Sequence, residues 1–200
     1  MSEISDEYKT ALGADSVENV LGPSILLGSG TYFHYERPEE TKMTIEDVAY
    51  ALGFECRFAG QCWSPHLNKR VFYSVGEHCV RMSHAVPPEM AFEALMHEVG
   101  ETPCGDMTNP LKGLCPDYKR VEKSCEAGLL KHFGVVIKDP VRLKHWDLVM
   151  LATERRDLLR WGGERWSLLD GIDPLEERIL PWGPYEAAEA FLNRYNELRG

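Results

Sequence analysis

The run AFEALMHEVGE, residues 91–101, has the spacing of a helix with one apolar side, and it carries His97 and Glu98 within that side. Residues three and four apart share a helix face. Ala91, Leu95 and Glu98 therefore form one stripe, and Met90, Ala94, His97 and Glu101 form its neighbour. Taking a charge out of water costs roughly several kcal/mol per ion unless it meets a partner. Whatever packs on this helix must answer an imidazole and two carboxylates, and a divalent cation is one such partner. Two other helical stretches offer matching groups. His78 lies upstream in YSVGEHCVRM, and Asp147 lies downstream in LKHWDLVMLATE, on a stripe with Leu143, Met150, Leu151 and Leu158. Taken singly, each of these residues is as well explained by an ion pair or a loop cap. Taken together, His78, His97, Glu98 and Asp147 are better explained by one bound metal ion.

Punctuation along the chain predicts a mostly α fold. Thr44-Ile45-Glu46-Asp47 opens a helix, with Met43 and Val48 placed as a hydrophobic staple. Ser74 and Glu77 have capping-box spacing at the head of the helix that carries His78 and stops before Pro87-Pro88. The next helix is expected from Pro88 to about Gly100. Asp117 is expected to cap another that stops at Gly134. Asp139-Pro140 starts the longest helix, with proline at its first position. A loop from Trp161 to Pro184 leads to a last helix, YEAAEAFLNRYNELR. Strand signals are few. SILLG and TYFHY, within residues 1–42, predict a short hairpin or extended arm, and residues 55–74 a two-stranded excursion. These elements make one helical bundle spanning residues 1–200, with 1–27 as an arm and 161–200 as a C-terminal extension.

The 200 residues suffice for one sizeable core. With 22 basic against 32 acidic residues, the formal charge is −10, which argues against a nucleic-acid polymer as partner. A small anion is still accommodated by a local cluster of lysines and arginines. The polar, acidic N-terminus does not read as a secretory signal, and no apolar run approaches the roughly 20 residues needed to span a bilayer. A cytoplasmic protein with no membrane partner is the expectation. The six cysteines form no C-x-x-C pair and are read as reduced, packed thiols.

Several chemistries are excluded by pattern. A zinc protease helix would need a second histidine one turn after His97-Glu98, where this chain has Glu101. The nucleophile elbow of the serine hydrolases, the phosphate-binding P-loop and the dinucleotide fingerprint are all missing.

The order His78, His97-Glu98 and Asp147 resembles the HD-domain metal-dependent phosphohydrolases. Arg57-Phe58, YSVGEHCV at 73–80 and ALMHEVGETPCGDMTNPLK at 94–112 are similar to the nucleotidase branch of that superfamily. That branch includes bacterial 5′-deoxynucleotidases and phage dATP triphosphohydrolases. The likeness covers roughly residues 28–160, and the last 40 residues add nothing to it. It implies a helical HD domain that hydrolyses phosphate esters of nucleotides, at the α-phosphate of a triphosphate or in a monophosphate. His78, His97, Glu98 and Asp147 would hold a divalent ion of Co, Mn, Zn, Mg, Ni or Fe. Glu101 and Asp106 would handle water and leaving-group protons. Arg57, Lys112 and Lys144 would meet substrate phosphates, and Phe58 the base or sugar. Related proteins commonly form homo-oligomers. One departure stands out: the family pair is His-Asp, and here Glu98 reaches one methylene further. A catalytically weak nucleotide-binding or regulatory protein therefore stays open as an alternative. A di-iron oxygenase would need more histidine ligands, and His34, His66, His84, His132 and His145 read as surface or structural.

Overall fold

Thr44 opens the first long helix by the chemistry its sequence predicts. Its hydroxyl accepts the Asp47 amide at 3.1 Å, and the Asp47 carboxylate accepts the Thr44 amide at 2.9 Å. Helix α1 (Ile45–Phe54) follows. The same Asp47 carboxylate also accepts the Ser29 amide at 2.8 Å, which ties the helix to a preceding hairpin of β1 (Ser24–Leu26) and β2 (Tyr32–His34). The strands pair antiparallel with Ile25 opposite Phe33, and Phe33 is the hairpin's fully buried residue. This computed structural model describes residues 22–200; the expected arm therefore lies mostly outside the described residues.

The expected two-stranded excursion is β3 (Trp63–Ser64) against β4 (Lys69–Arg70), antiparallel. Helix α2 (Val75–Ala85) starts at Ser74, whose hydroxyl accepts the Glu77 amide at 3.0 Å. The expected box is only half made. The Glu77 carboxylate turns instead to Arg81 Nε at 2.8 Å and the Trp182 amide at 2.9 Å, because burial makes a cation and a loop amide more valuable partners than the cap. The helix expected from Pro88 to Gly100 is shorter: a 3-10 turn at Pro88–Met90, then α3 (Ala91–Met96). Short helices α4 (Glu101–Cys104) and α5 (Asn109–Lys112) follow. Helix α6 (Pro116–His132) has proline at its first position and Cys115 as its cap, so Asp117 sits in the first turn rather than capping it. Helix α7 (Pro140–Leu158) is the longest, and Asp139 Oδ1 accepts the Arg142 amide at 2.9 Å, as the Asp-Pro start predicts. Helix α8 (Pro184–Arg199) closes the chain.

The fold is mostly α, as predicted, with two small sheets. Helices α1, α2 and α8 approach so closely that a Cβ on Gly53 would stand 2.9 Å from Ala188 Cβ, and one on Gly76 would stand 3.0 Å from the Gly53 amide. One apolar cluster gathers Phe33, Leu52, Val75, Leu95, Leu129 and Phe191. A second gathers Tyr73, Met82, Ala94, Leu143, Met150 and Leu158. Each such side chain contributes about 1.5–3 kcal/mol on burial. Residues of α2 and α3 belong to both clusters, and α7 packs on α2. The polar residues of interest lie along that junction. Among the described residues no helix is long and apolar enough to cross a membrane.

Candidate metal centre and its cavity

His78 stands one turn into α2 and is completely buried. Its Nδ1 donates to Glu154 Oε1 at 2.6 Å. Glu154, on α7, is also completely buried and accepts the Tyr73 hydroxyl at 3.0 Å and the Arg57 guanidinium at 3.2 Å. A carboxylate on Nδ1 fixes the tautomer and leaves the Nε2 lone pair for another use. His97 Nδ1 faces the Ala94 carbonyl at 2.8 Å, an acceptor, so it too carries the proton and frees Nε2. The two Nε2 atoms lie 3.3 Å apart. Asp147 Oδ1 is 3.4 Å from His78 Nε2, and Glu98 Oε1 is 3.5 Å from His97 Nε2. Ligand atoms of all four residues fall within 4.8 Å of one another. Two lone pairs and two carboxylates facing each other repel unless a positive charge sits among them, so this group could hold a metal ion.

The electrostatics favour that charge. Burial and the Arg57 guanidinium oppose a charged His78, yet Glu154 and Asp147 outweigh them and push its pKa up to about 9. Burial, followed by the neighbouring His78, moves His97 the other way despite the pull of Glu98. Burial works against the Asp147 anion, but His78, His97 and Lys144 hold its carboxyl well below the usual range. The metal-free cluster thus gathers one proton at His78 Nε2, the position from which a cation would displace it.

His97 and Glu98 lie just past α3, on a tightened turn, rather than in mid-helix as the apolar spacing suggests. The His97 side chain occupies the Ala94 carbonyl, which an uninterrupted helix would give to the Glu98 amide. From Met96 onward the backbone bonds run from residue i to i+3: Val99 to Met96, Glu101 to Glu98, Thr102 to Val99. Gly100 completes the turn. A Cβ there would stand 2.8 Å from Glu126 Cβ, so its absence lets α6 pack against the turn that carries His97 and Glu98.

The cluster borders a cavity of about 730 Å³. Of the residues predicted from sequence, His97, Glu98 and Asp147 line it, as do Arg57, Phe58, Glu101, Asp106, Lys112 and Lys144; His78 sits behind the wall. Burial, with Glu98 and Asp106 close by, pushes the Glu101 carboxyl up to about 10, so it keeps its proton at neutral pH. Its Oε2 is buried without a hydrogen-bond partner. Burial also raises Asp106. The expected phosphate contacts already have carboxylate partners: Lys112 meets Glu122 at 2.6 Å, Lys144 meets Asp147 at 2.6 Å, and Arg57 meets Glu154. Arg57 keeps one buried nitrogen, Nε, unpartnered. Phe58 and Ala59 both adopt positive φ, 55° and 50°, a conformation that costs of order 1–3 kcal/mol per non-glycine residue and recurs at ligand sites.

Some of the machinery was missed in the sequence. Glu154 lies two turns after Asp147 on the face of a buried helix, and an acid at that register was a usable signal. Trp166 and Leu168 line the cavity from the C-terminal extension, which the sequence resemblance left out; no periodicity marks them. Glu122 on α6 is likewise legible only in three dimensions. Two of the set-aside histidines are structural: His66 Nε2 meets Asp157 at 3.2 Å, and His132 Nε2 donates to the Met43 carbonyl at 2.9 Å.

The chain matches no established protein-family profile. It is 43% identical over 173 residues to YfdR of Escherichia coli (strain K12), described as uncharacterized, covering 85% of this chain and 92% of that protein. It is 26% identical over 179 residues to an uncharacterized protein of Rhodobacter capsulatus, covering 80% of this chain and 88% of that protein.

Proposed function

We propose, for a chain that belongs to the family of Escherichia coli YfdR, metal-dependent hydrolysis of the phosphate ester of a nucleotide, in an HD-type helical domain. One observation carries the reading. Two imidazole lone pairs and two carboxylates converge beside a cavity that also holds Arg57, Lys112 and Lys144. The nitrogen and oxygen donors suit Mn, Fe, Co, Ni or Zn; two imidazoles suit Mg poorly. The bound ion would supply Lewis acidity toward a phosphoryl oxygen and lower the pKa of water.

The chain's own groups do the rest. Arg57, Lys112 and Lys144 offset charge on phosphate oxygens by charge-assisted hydrogen bonds, exchanging their carboxylate partners for the substrate. Glu101 carries a proton at neutral pH and stands where it can give it to the departing oxygen. Asp106 lies beside it to orient water. Glu98, one methylene longer than aspartate, reaches the cluster from a turn rather than a helix, so the His-Glu pair is compatible with catalysis. The cavity holds six carboxyl groups against four cations, and Glu101 keeps its proton, so a bound divalent ion would tip the balance towards an anionic phosphate ester. The second reading, a nucleotide-binding protein with weak or no turnover, rests on the same crowding by carboxylates.

The test is a screen of purified protein against deoxynucleoside mono- and triphosphates with each divalent ion in turn, reading phosphate and tripolyphosphate. Orthophosphate from monophosphates or tripolyphosphate from triphosphates, with a transition metal and far less with Mg, is expected. Nucleotide binding with no turnover under any metal would leave the regulatory reading in its place.

A further inference from the structure

The chain between α7 and α8, residues 159–183, has almost no regular structure, only a 3-10 turn at Ser167–Leu169. It is nevertheless pinned to the bundle. Asp157 accepts the Ile179 amide at 2.9 Å, Thr153 Oγ1 accepts the Leu175 amide at 2.9 Å, and Glu77 accepts the Trp182 amide at 2.9 Å. Its first part supplies Trp166 and Leu168 to the cavity lining. Trp166 is half-buried, and the Arg155 guanidinium lies between it and Trp161, at 5.5 Å and 4.3 Å from the two ring centroids. A cation within about 6 Å of the ring centroid favours one orientation of the tryptophan. Phe58 lines the same cavity and is held by its left-handed backbone beside Arg57. Met107, Leu151 and Leu168 add apolar surface to the same lining as the ligands and cations.

We infer that Trp166 is a specificity-determining residue: it gives an aromatic wall on which the nucleobase of the substrate stacks while the phosphate meets the ligands and cations. This rests on the phosphohydrolase reading and deepens it. The ligands and cations are suited to any phosphate ester. Two aromatic rings in the same lining, Phe58 and Trp166, reward a flat π-system elsewhere in the same molecule, so the substrate class is a nucleotide rather than a sugar phosphate. Larger purines gain more from the wall than pyrimidines.

The experiment compares the metal-loaded full chain with its Trp166→Ala and Trp166→Phe variants on a purine deoxynucleotide, a pyrimidine deoxynucleotide and base-less 2-deoxyribose 5-phosphate. Trp166→Ala should raise KM for the purine nucleotide by about tenfold, and for the pyrimidine by less. It should leave kcat/KM for the base-less ester within about twofold, a control that the phosphate site is still folded. Trp166→Phe, which keeps a ring, should recover most of the purine KM. Equal losses on the base-less ester and the nucleotides, or no loss on any, would overturn the assignment of Trp166. A wild-type protein inactive on all three would instead defeat the phosphohydrolase reading from which the inference starts.

Discussion

In the candidate metal centre, His78, Asp147 and Glu154 stand on two of the bundle's helices, and each is held by at least two partners. The apolar lining residues Phe58, Met107 and Trp166 stand outside the α-helices, Phe58 packed on the second apolar cluster and Trp166 beside the Arg155 guanidinium. The contrast follows from what each region must do. Metal ligands need fixed direction, and a buried carboxylate behind an imidazole supplies it. An apolar wall needs only to cover surface, and short loops do that without a helix. Asp157 links the two kinds of region, since it lies on α7 yet accepts the Ile179 amide of the segment 159–183.

The largest predicted effect tests that joint. Asp157 is buried and accepts Arg156 Nε at 2.7 Å, the Ile179 amide at 2.9 Å and His66 at 3.2 Å. Asp157→Asn should cost about 3 kcal/mol at neutral pH, read as a fall in thermal midpoint, because the buried carboxylate's charge-assisted bonds to Arg156 and the Ile179 amide are lost or weakened. Burial works against the Asp157 anion, but Arg156, the Ile179 amide and His66 hold its carboxyl below the usual range. A depressed folded-state pKa contributes stability above the unfolded pKa, near 4, that fades as pH falls through the folded value. The gap between wild type and variant should therefore be flat from about pH 5 to 8 and narrow below about pH 4. A gap that persisted in acid would remove the ion pair as its source. Metal binding should survive the change.

Glu154→Gln makes the converse cut. It should weaken metal affinity by about 10–100-fold, while leaving nucleotide stacking on Trp166 intact. An unchanged metal affinity would mean that Glu154 only fills space. The smallest effect concerns the lysines. Lys112→Ala should weaken nucleotide binding by about tenfold, since its ammonium is largely enclosed near Glu122 and Glu101. Lys144 is mostly exposed, and Lys144→Ala should cost only about threefold. Titration calorimetry on the metal-loaded variants gives both numbers, and no loss in either would leave these cations as partners of carboxylates alone.

How much of this was legible depended on whether local chemistry decided the outcome. The Thr44–Asp47 box, the Asp139-Pro140 start and the hairpin from residue 24 to 34 use neighbours in sequence, and each formed as predicted. Glu77 departed from its box because Trp182, over a hundred residues away, offered a buried amide. The helix through His97 ended early because a side chain took a carbonyl the periodicity had assigned to the backbone. All four residues read as ligands came together; His97, Glu98 and Asp147 each broke an apolar stripe and so declared a need for a partner. Glu122 and Trp166 declared no such need. An exposed-looking acid on a polar helix and a tryptophan in a loop acquire meaning only from what folds against them.

The central claim is the ion itself. The direct measurement strips the purified protein of metal and titrates Mn²⁺ and Zn²⁺ into wild type and His97→Ala, with bound metal counted per chain. The account predicts one ion per wild-type chain and an affinity at least about a hundredfold weaker in the variant, because losing one imidazole opens a coordination gap beside two carboxylates. Wild-type protein that binds neither ion, or a variant that binds as tightly as wild type, would contradict it.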